Sequence, residues 1–257
     1  IALSASCVEN EKFWDMVSRD YSGIDYDEMI NIDIVVLDGA KYISEDFFEN
    51  GPGYFKSISL PDSLEEIKDS AFLRVKCDTI TIPDTLRSIG NFAFYGSRGL
   101  EKLPSKLEHI GRYAFGEGNL GESITIPGSI QSFDEFAFYA TSLKRVIIQP
   151  GLTEIPGATF AAFTSADPGD LEEVTIPNTV TTIGPSAFWH QTNLTDITIP
   201  DSVTCIRHDA FYGCSKLNAT VSGAWYRVKN DDETKIVDDT PSGKNLYWYS
   251  SWNWYRK

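Results

Sequence analysis

Ile197-Thr-Ile-Pro-Asp-Ser-Val-Thr-Cys-Ile-Arg-His-Asp-Ala-Phe211 is one copy of a pattern that runs through most of this chain. The other clear copies are Ile80 to Phe94, Ile124 to Phe138 and Val174 to Phe188. Each holds two apolar residues around a variable one, a Pro, a short polar turn, an apolar residue and an apolar-x-x-x-Ala-Phe ending. Extended to weaker copies, the pattern anchors on eight phenylalanines: Phe48, Phe72, Phe94, Phe115, Phe138, Phe160, Phe188 and Phe211. Five positions before each stands Ile43, Ile67, Ile89, Ile110, Phe133, Ile155, Ile183 or Ile206. Successive anchors are 24, 22, 21, 23, 22, 28 and 23 residues apart. A period in the low twenties predicts a solenoid, in which each repeat buries its apolar face only against its neighbours.

The physical content of one repeat is plain in the copy ending at Phe94. Ile80-Thr81-Ile82 alternates apolar and polar, which predicts a short strand with one buried face. Pro83 has no N–H for a ladder, so the strand ends there. Asp84-Thr85 supplies side-chain oxygens suited to a turn. Leu86 and Ile89 return apolar side chains to the interior, and Gly90 permits a tight bend. Ala93 is small enough to let Phe94 fill the centre. Six of the eight copies carry the Pro, with Leu37 and Gln149 as exceptions; six carry the Ala, with Phe47 and Thr159 as exceptions. At a strand spacing of about 4.8 Å, eight such coils make a rod on the order of 40 Å long.

The stretches Ile124-Thr-Ile-Pro-Gly-Ser-Ile-Gln-Ser-Phe133 and Ile197 to Leu217 resemble the BspA-type leucine-rich repeat, over roughly residues 32–217. The resemblance implies a leucine-rich-repeat solenoid, β-rich with short helical or 3-10 turns, in eight repeats of 21–28 residues. It further implies a protein of bacterial or protist surfaces with a role in adhesion or protein binding, and it carries no catalytic residues.

Composition narrows the function. The 257 residues are 42% hydrophobic and 13% aromatic, ample for a core. A net charge of −15 argues against nucleic acid, whose phosphates demand clustered Lys and Arg, and against an anionic membrane surface. No apolar run reaches the roughly 18 residues of a spanning helix. Cys7 follows small residues much as in a lipoprotein signal, although Leu3 lies four positions before it rather than three; a lipid anchor and an ordinary Cys are both open readings. Cys77, Cys205 and Cys214 form no zinc-ligand spacing and read as small buried hydrophobes.

The repeat grammar stops at both ends. Residues 1–31 read as a capping segment, with Phe13, Trp14, Val17 and Tyr21 at helical spacing. Residues 218–257 hold Trp225, Trp248, Trp252 and Trp254; they read as an aromatic-rich cap over the last coil, as the start of a further module, or as a platform for a sugar or a partner. The one 28-residue spacing contains Thr164, Asp167 and Asp170, and insertions in solenoids emerge as loops, often on the binding face. Phe163 competes with Phe160 as the anchor there.

Repeat phase tests which side chains share a face. His109, His190 and His208 stand six before, two after and three before their anchors, so they form no ladder, and no catalytic motif, metal site or cofactor is expected. Gly116 to Gly121 matches a glycine-rich dinucleotide pattern but lacks the flanking strand and helix, and reads as a turn. Two ladders do form. The outward strand positions run Val35, Ser59, Thr81, Lys102, Thr125, Ile147, Thr175 and Thr198, suited both to β-structure and to a flat binding face. The residues after the anchors include Tyr95, Tyr139, Trp189 and Tyr212, either packing between coils or exposed for stacking. The expectation is a non-enzymatic extracellular or cell-surface protein that binds a protein, with carbohydrate binding or a spacer role as alternatives.

Overall fold

The computed structural model describes residues 1–9, 32–48, 54–162, 169–229, 232–239, 241, 246 and 251–257. The described chain is a β-solenoid of about eight turns, with almost no helix. Seven of the eight coils contribute a first strand from their apolar-x-apolar triplet. Asp33–Val36, Ser123–Ile126 and Arg145–Ile148 all alternate exposed and buried residues, as a strand with one face inward must. These first strands stack in parallel as two sheets. Ala2–Leu3, Asp33–Val36, Tyr54–Ser59 and Lys76–Thr81 form one; Ser123–Ile126, Arg145–Ile148, Glu173–Thr175, Asp196–Thr198 and Asn218–Thr220 form the other.

A second, two-residue strand ends on the apolar position five before each anchor. These pair in parallel from Tyr42–Ile43 to Ser132–Phe133, and again from Glu154–Ile155 to Cys205–Ile206. Between the two strands the repeat prolines close a turn. The carbonyl of Pro61 accepts the Leu64 N–H at 3.0 Å, and Pro83, Pro104, Pro127, Pro177 and Pro200 do the same for the residue three on. The turn hydroxyls act differently from the sequence expectation: they cross to the preceding coil. Ser63 donates to the Ala40 carbonyl at 2.9 Å, Ser129 to Leu107 at 2.6 Å and Thr179 to Leu152 at 2.8 Å.

After the second strand the chain turns through successive i to i+3 bonds, such as Tyr95 N–H to Phe92 and Ser97 N–H to Phe94. Helix cannot propagate here because left-handed residues interrupt it. Two before the anchor, Asp46, Ser70, Phe92, Tyr113, Phe136, Ala158, Ser186 and Asp209 all have φ between 51° and 64°.

The anchors build the axis of the core. Phe48, Phe72, Phe94, Phe115, Phe138, Phe160, Phe188 and Phe211 stack one on the next with ring centroids 4.6–5.5 Å apart. All are at most 2% exposed. Phe160 is thus the anchor of the long coil, and Phe163 lies outside the described residues.

At the N-terminal end, Ala2–Leu3 pairs with Val35–Val36, and Ala5–Val8 makes one helical turn. The helix expected around Phe13 to Tyr21 falls outside the described residues. At the other end Trp225–Lys229, Asp232–Asp239 and Trp252–Arg256 form an antiparallel meander whose last strand pairs with Cys205–Ile206. The reversal of direction ends the parallel ladder of second strands there.

Candidate functional site

The first-strand ladder places the expected stripe in real register. Thr125, Ile147 and Thr175 are direct partners across neighbouring strands, and Thr198 pairs with Thr220, a threonine the repeat count omitted. Thr125, Ile147, Thr175, Thr198 and Thr220 are all exposed, Ile147 at 45%. Val35, Ser59 and Thr81 form a separate short row in the first sheet.

Lys102 breaks the expected stripe: residues 101–104 form no strand, so it belongs to neither row. The cause lies just upstream. Gly99 has φ 104°, and its α-carbon is pressed so close to the Cys77 carbonyl that a Cβ would lie 2.5 Å from that oxygen. Its own carbonyl accepts the Ile80 N–H at 2.7 Å. The coil is tucked against its neighbour there, which draws the chain out of the ladder.

Beside the threonine row runs a charged one. Ser123, Arg145, Glu173, Asp196 and Asn218 align by the same register. Between the two rows is an open groove of about 490 Å³, lined by Arg145, Glu172, Glu173, Thr175, Asp196 and Thr198. Lys144 binds Glu122 at 2.7 Å, and that contact, with Glu172 and Asp170 adding field, raises the Lys144 pKa. Asp170 is exposed near this edge, whereas Thr164 and Asp167 lie outside the described residues.

The histidines remain apart. His109 contacts Ser132 and Asp134, His208 contacts Asp209, and His190 packs edge-on between Trp189 and Tyr212. Burial lowers the His190 pKa. Among the described residues no group of His, Cys, Asp and Glu is arranged to hold a metal. Cys77 and Cys214 are buried, and burial pushes both thiols up.

The C-terminal aromatics divide. Trp225 and Trp254 are 1% and 2% exposed, so neither can offer a ring face to a sugar; the expected platform is corrected for these two. The cause is the meander, which turns them onto the last coil while the Arg256 guanidinium covers the Trp225 ring at 4.9 Å. Trp252 is half-buried with Arg227 over its ring at 4.5 Å, and Trp248 lies outside the described residues.

The surface aromatics are richer than the sequence expectation. Tyr95, Tyr139 and Trp189 are half-buried and Tyr212 is exposed, so these positions pack at the surface rather than in the interior. Tyr95 and Tyr139 meet three rings that the repeat grammar left as variable positions: Phe92, Tyr113 and Phe136. These three stack on each other at 5.1 and 4.7 Å. The signal was available, since all three stand two before an anchor in consecutive coils. Bulky residues with left-handed φ are costly, on the order of 1–3 kcal/mol each.

Burial, and then the hydrogen bond its hydroxyl gives to Glu117, push the Tyr95 phenol up to about 12. Because the folded-state value is raised, the stability it contributes is fully present below pH 10 and is lost as pH climbs through about 12. A spectrophotometric titration of Tyr95→Phe should lack one of the late-titrating tyrosine components of the wild-type protein; if the late components are unchanged, the assignment fails.

A parallel solenoid with a leucine-rich-repeat core and no convergent chemical constellation among its described residues defines a class of repeat protein. The model of the BspA type leucine rich repeat region matches residues 41–167 and 162–223 in six copies. The chain belongs to the BspA-type leucine-rich repeat family. Among solved structures, a leucine-rich repeat protein from Bacteroides ovatus is similar at 26% identity and a TM-score of 0.60, over 73% of this chain and 54% of that one. The chain therefore spans about half the length of that relative. A leucine rich cell surface protein from Faecalibacterium prausnitzii is 23% identical with a TM-score of 0.44, covering 73% of this chain and 59% of that one. The pneumococcal vaccine antigen PcpA is 23% identical with a TM-score of 0.42, covering 74% and 62%. Among curated proteins none matches this chain.

Proposed function

We propose that this chain is a non-enzymatic extracellular or cell-surface module that binds another protein across its first-strand face. The observation that carries this reading is the exposed row Thr125, Ile147, Thr175, Thr198 and Thr220 in register beside the charged row of Arg145, Glu173 and Asp196. Short β-branched side chains on a rigid sheet lose little entropy on contact. The neighbouring charges supply register and selectivity more than affinity. Family membership supports the same reading, because repeat solenoids present extended surfaces rather than clefts for chemistry.

The test is Thr125→Glu with Thr175→Glu, made after a partner is captured from host matrix and surface proteins. Both positions are exposed, so the fold should be kept and unfolding should shift by less than about 0.5 kcal/mol per site. Partner affinity measured by biolayer interferometry should fall at least tenfold, on the order of 1.4 kcal/mol. Unchanged affinity in a folded double variant would remove the face from consideration.

A further inference from the structure

The five-ring array of Phe92, Tyr95, Tyr113, Phe136 and Tyr139 lies past the second strand of each coil, on a surface separate in phase from the threonine row. It has an occupant of known charge: the Arg112 guanidinium sits 5.6 Å from the Tyr113 ring centre and 5.2 Å from that of Phe136. The stack uses most of its ring faces internally. Phe92 ends it, is 39% exposed, and has Ser70 rather than another ring at the same phase of the preceding coil.

That end opens on a groove of about 530 Å³. Among the described residues, Glu45, Asp69, Asp134 and Glu135 line it against the single cation of Arg112. Its floor is braced from coil to coil. The Asp69 carboxylate accepts the Asn91 N–H at 2.8 Å and its side-chain N–H at 3.0 Å, and Asn91 Oδ1 accepts the Arg112 N–H at 2.8 Å. A ring face bordered by carboxylates in excess is complementary to a cation with a flat or apolar body.

We propose that this groove is a second docking site, which takes a basic segment of a partner protein laid along the coils, with one arginine stacked against Phe92 and others paired with Glu45 at one end and Glu135 at the other. The net charge of −15 would speed the approach of such a segment, and the array would give it a fixed seat. Arg112 already shows the neighbouring rings accepting a guanidinium. The inference does not depend on the strand face, and either surface can fail without the other.

The probe is a fluorescein-labelled hexa-arginine peptide, read by anisotropy at about 150 mM salt, where diffuse attraction is largely screened. Hexa-glutamine and cellohexaose are the controls. Phe92→Asn removes the ring and leaves net charge unchanged, and Asn is among the residues best suited to left-handed φ, so folding should survive. Affinity for hexa-arginine should fall about five- to tenfold in Phe92→Asn and again in Glu45→Gln with Glu135→Gln. Thr125→Glu with Thr175→Glu should not weaken it. Equal affinity for wild type and a folded Phe92→Asn would overturn the proposal, leaving only diffuse charge attraction. Cellohexaose binding that is lost in Phe92→Asn, with no peptide binding, would also overturn it in favour of a sugar platform. Should Phe92→Asn prove unfolded by circular dichroism, the double glutamine variant decides by the same criterion.

Discussion

Phe138→Ala should lower the stability of this protein by about 3–5 kcal/mol, the range for truncating a fully buried phenylalanine. The ring is 0% exposed and stacked between Phe115 at 5.2 Å and Phe160 at 5.5 Å, with Phe133 edge-on at 6.3 Å. Truncation opens a void in the middle of a column whose other members are held in place by their own coils. Backbone bonds on both sides hold the coil spacing, so the gap cannot close by collapse: Phe138 N–H bonds the Thr159 carbonyl at 2.9 Å, and Phe115 N–H the Ala137 carbonyl at 2.9 Å. Urea unfolding is the measurement, with Phe138→Leu as the milder control. A loss under about 1 kcal/mol would mean that the column does not carry the core.

Gly99→Ala should cost about 2–4 kcal/mol through a different mechanism. The residue has φ 104°, a backbone conformation that side chains rarely adopt, and the added Cβ would sit 2.5 Å from the Cys77 carbonyl oxygen and 3.0 Å from its carbon. Both of these are backbone atoms, so relief requires moving the neighbouring coil. Gly121→Ala is the informative comparison: its φ is also positive, at 77°, but nothing lies within 4 Å of the added carbon. The Gly99 variant should therefore melt well below the Gly121 variant, and equal melting temperatures would refute the close-approach argument.

The repeat was legible because a solenoid applies the same physical demand every twenty-odd residues. Each anchor, each apolar position five before it and each proline faces the same interior, so the pattern survives single exceptions such as Thr159 or Gln149. The candidate faces were less legible. Lys102 shares the phase of the threonine row but not its strand, because the close approach at Gly99 cannot be read from spacing. Thr220 was missed because its coil has no anchor to count from. Phe92, Tyr113 and Phe136 passed as variable positions, since the same phase elsewhere holds Asp46, Ser70 and Ser186.

Local pattern was thus sufficient for the number of coils, the inward side chains and the stacking of the phenylalanine column, all of which follow from burying apolar residues at a fixed period. It could not say where the parallel ladders break, which tryptophans turn inward, or which outward side chains meet. Those depend on contacts between residues of neighbouring coils, or between the last coil and the antiparallel meander, whose geometry is set by backbone approach rather than by residue type. The inward half of each repeat is dictated by hydrophobic burial, which sequence displays directly. The outward half, where the two proposed docking surfaces lie, is a matter of register and left-handed turns, and these appear only when the coils are stacked.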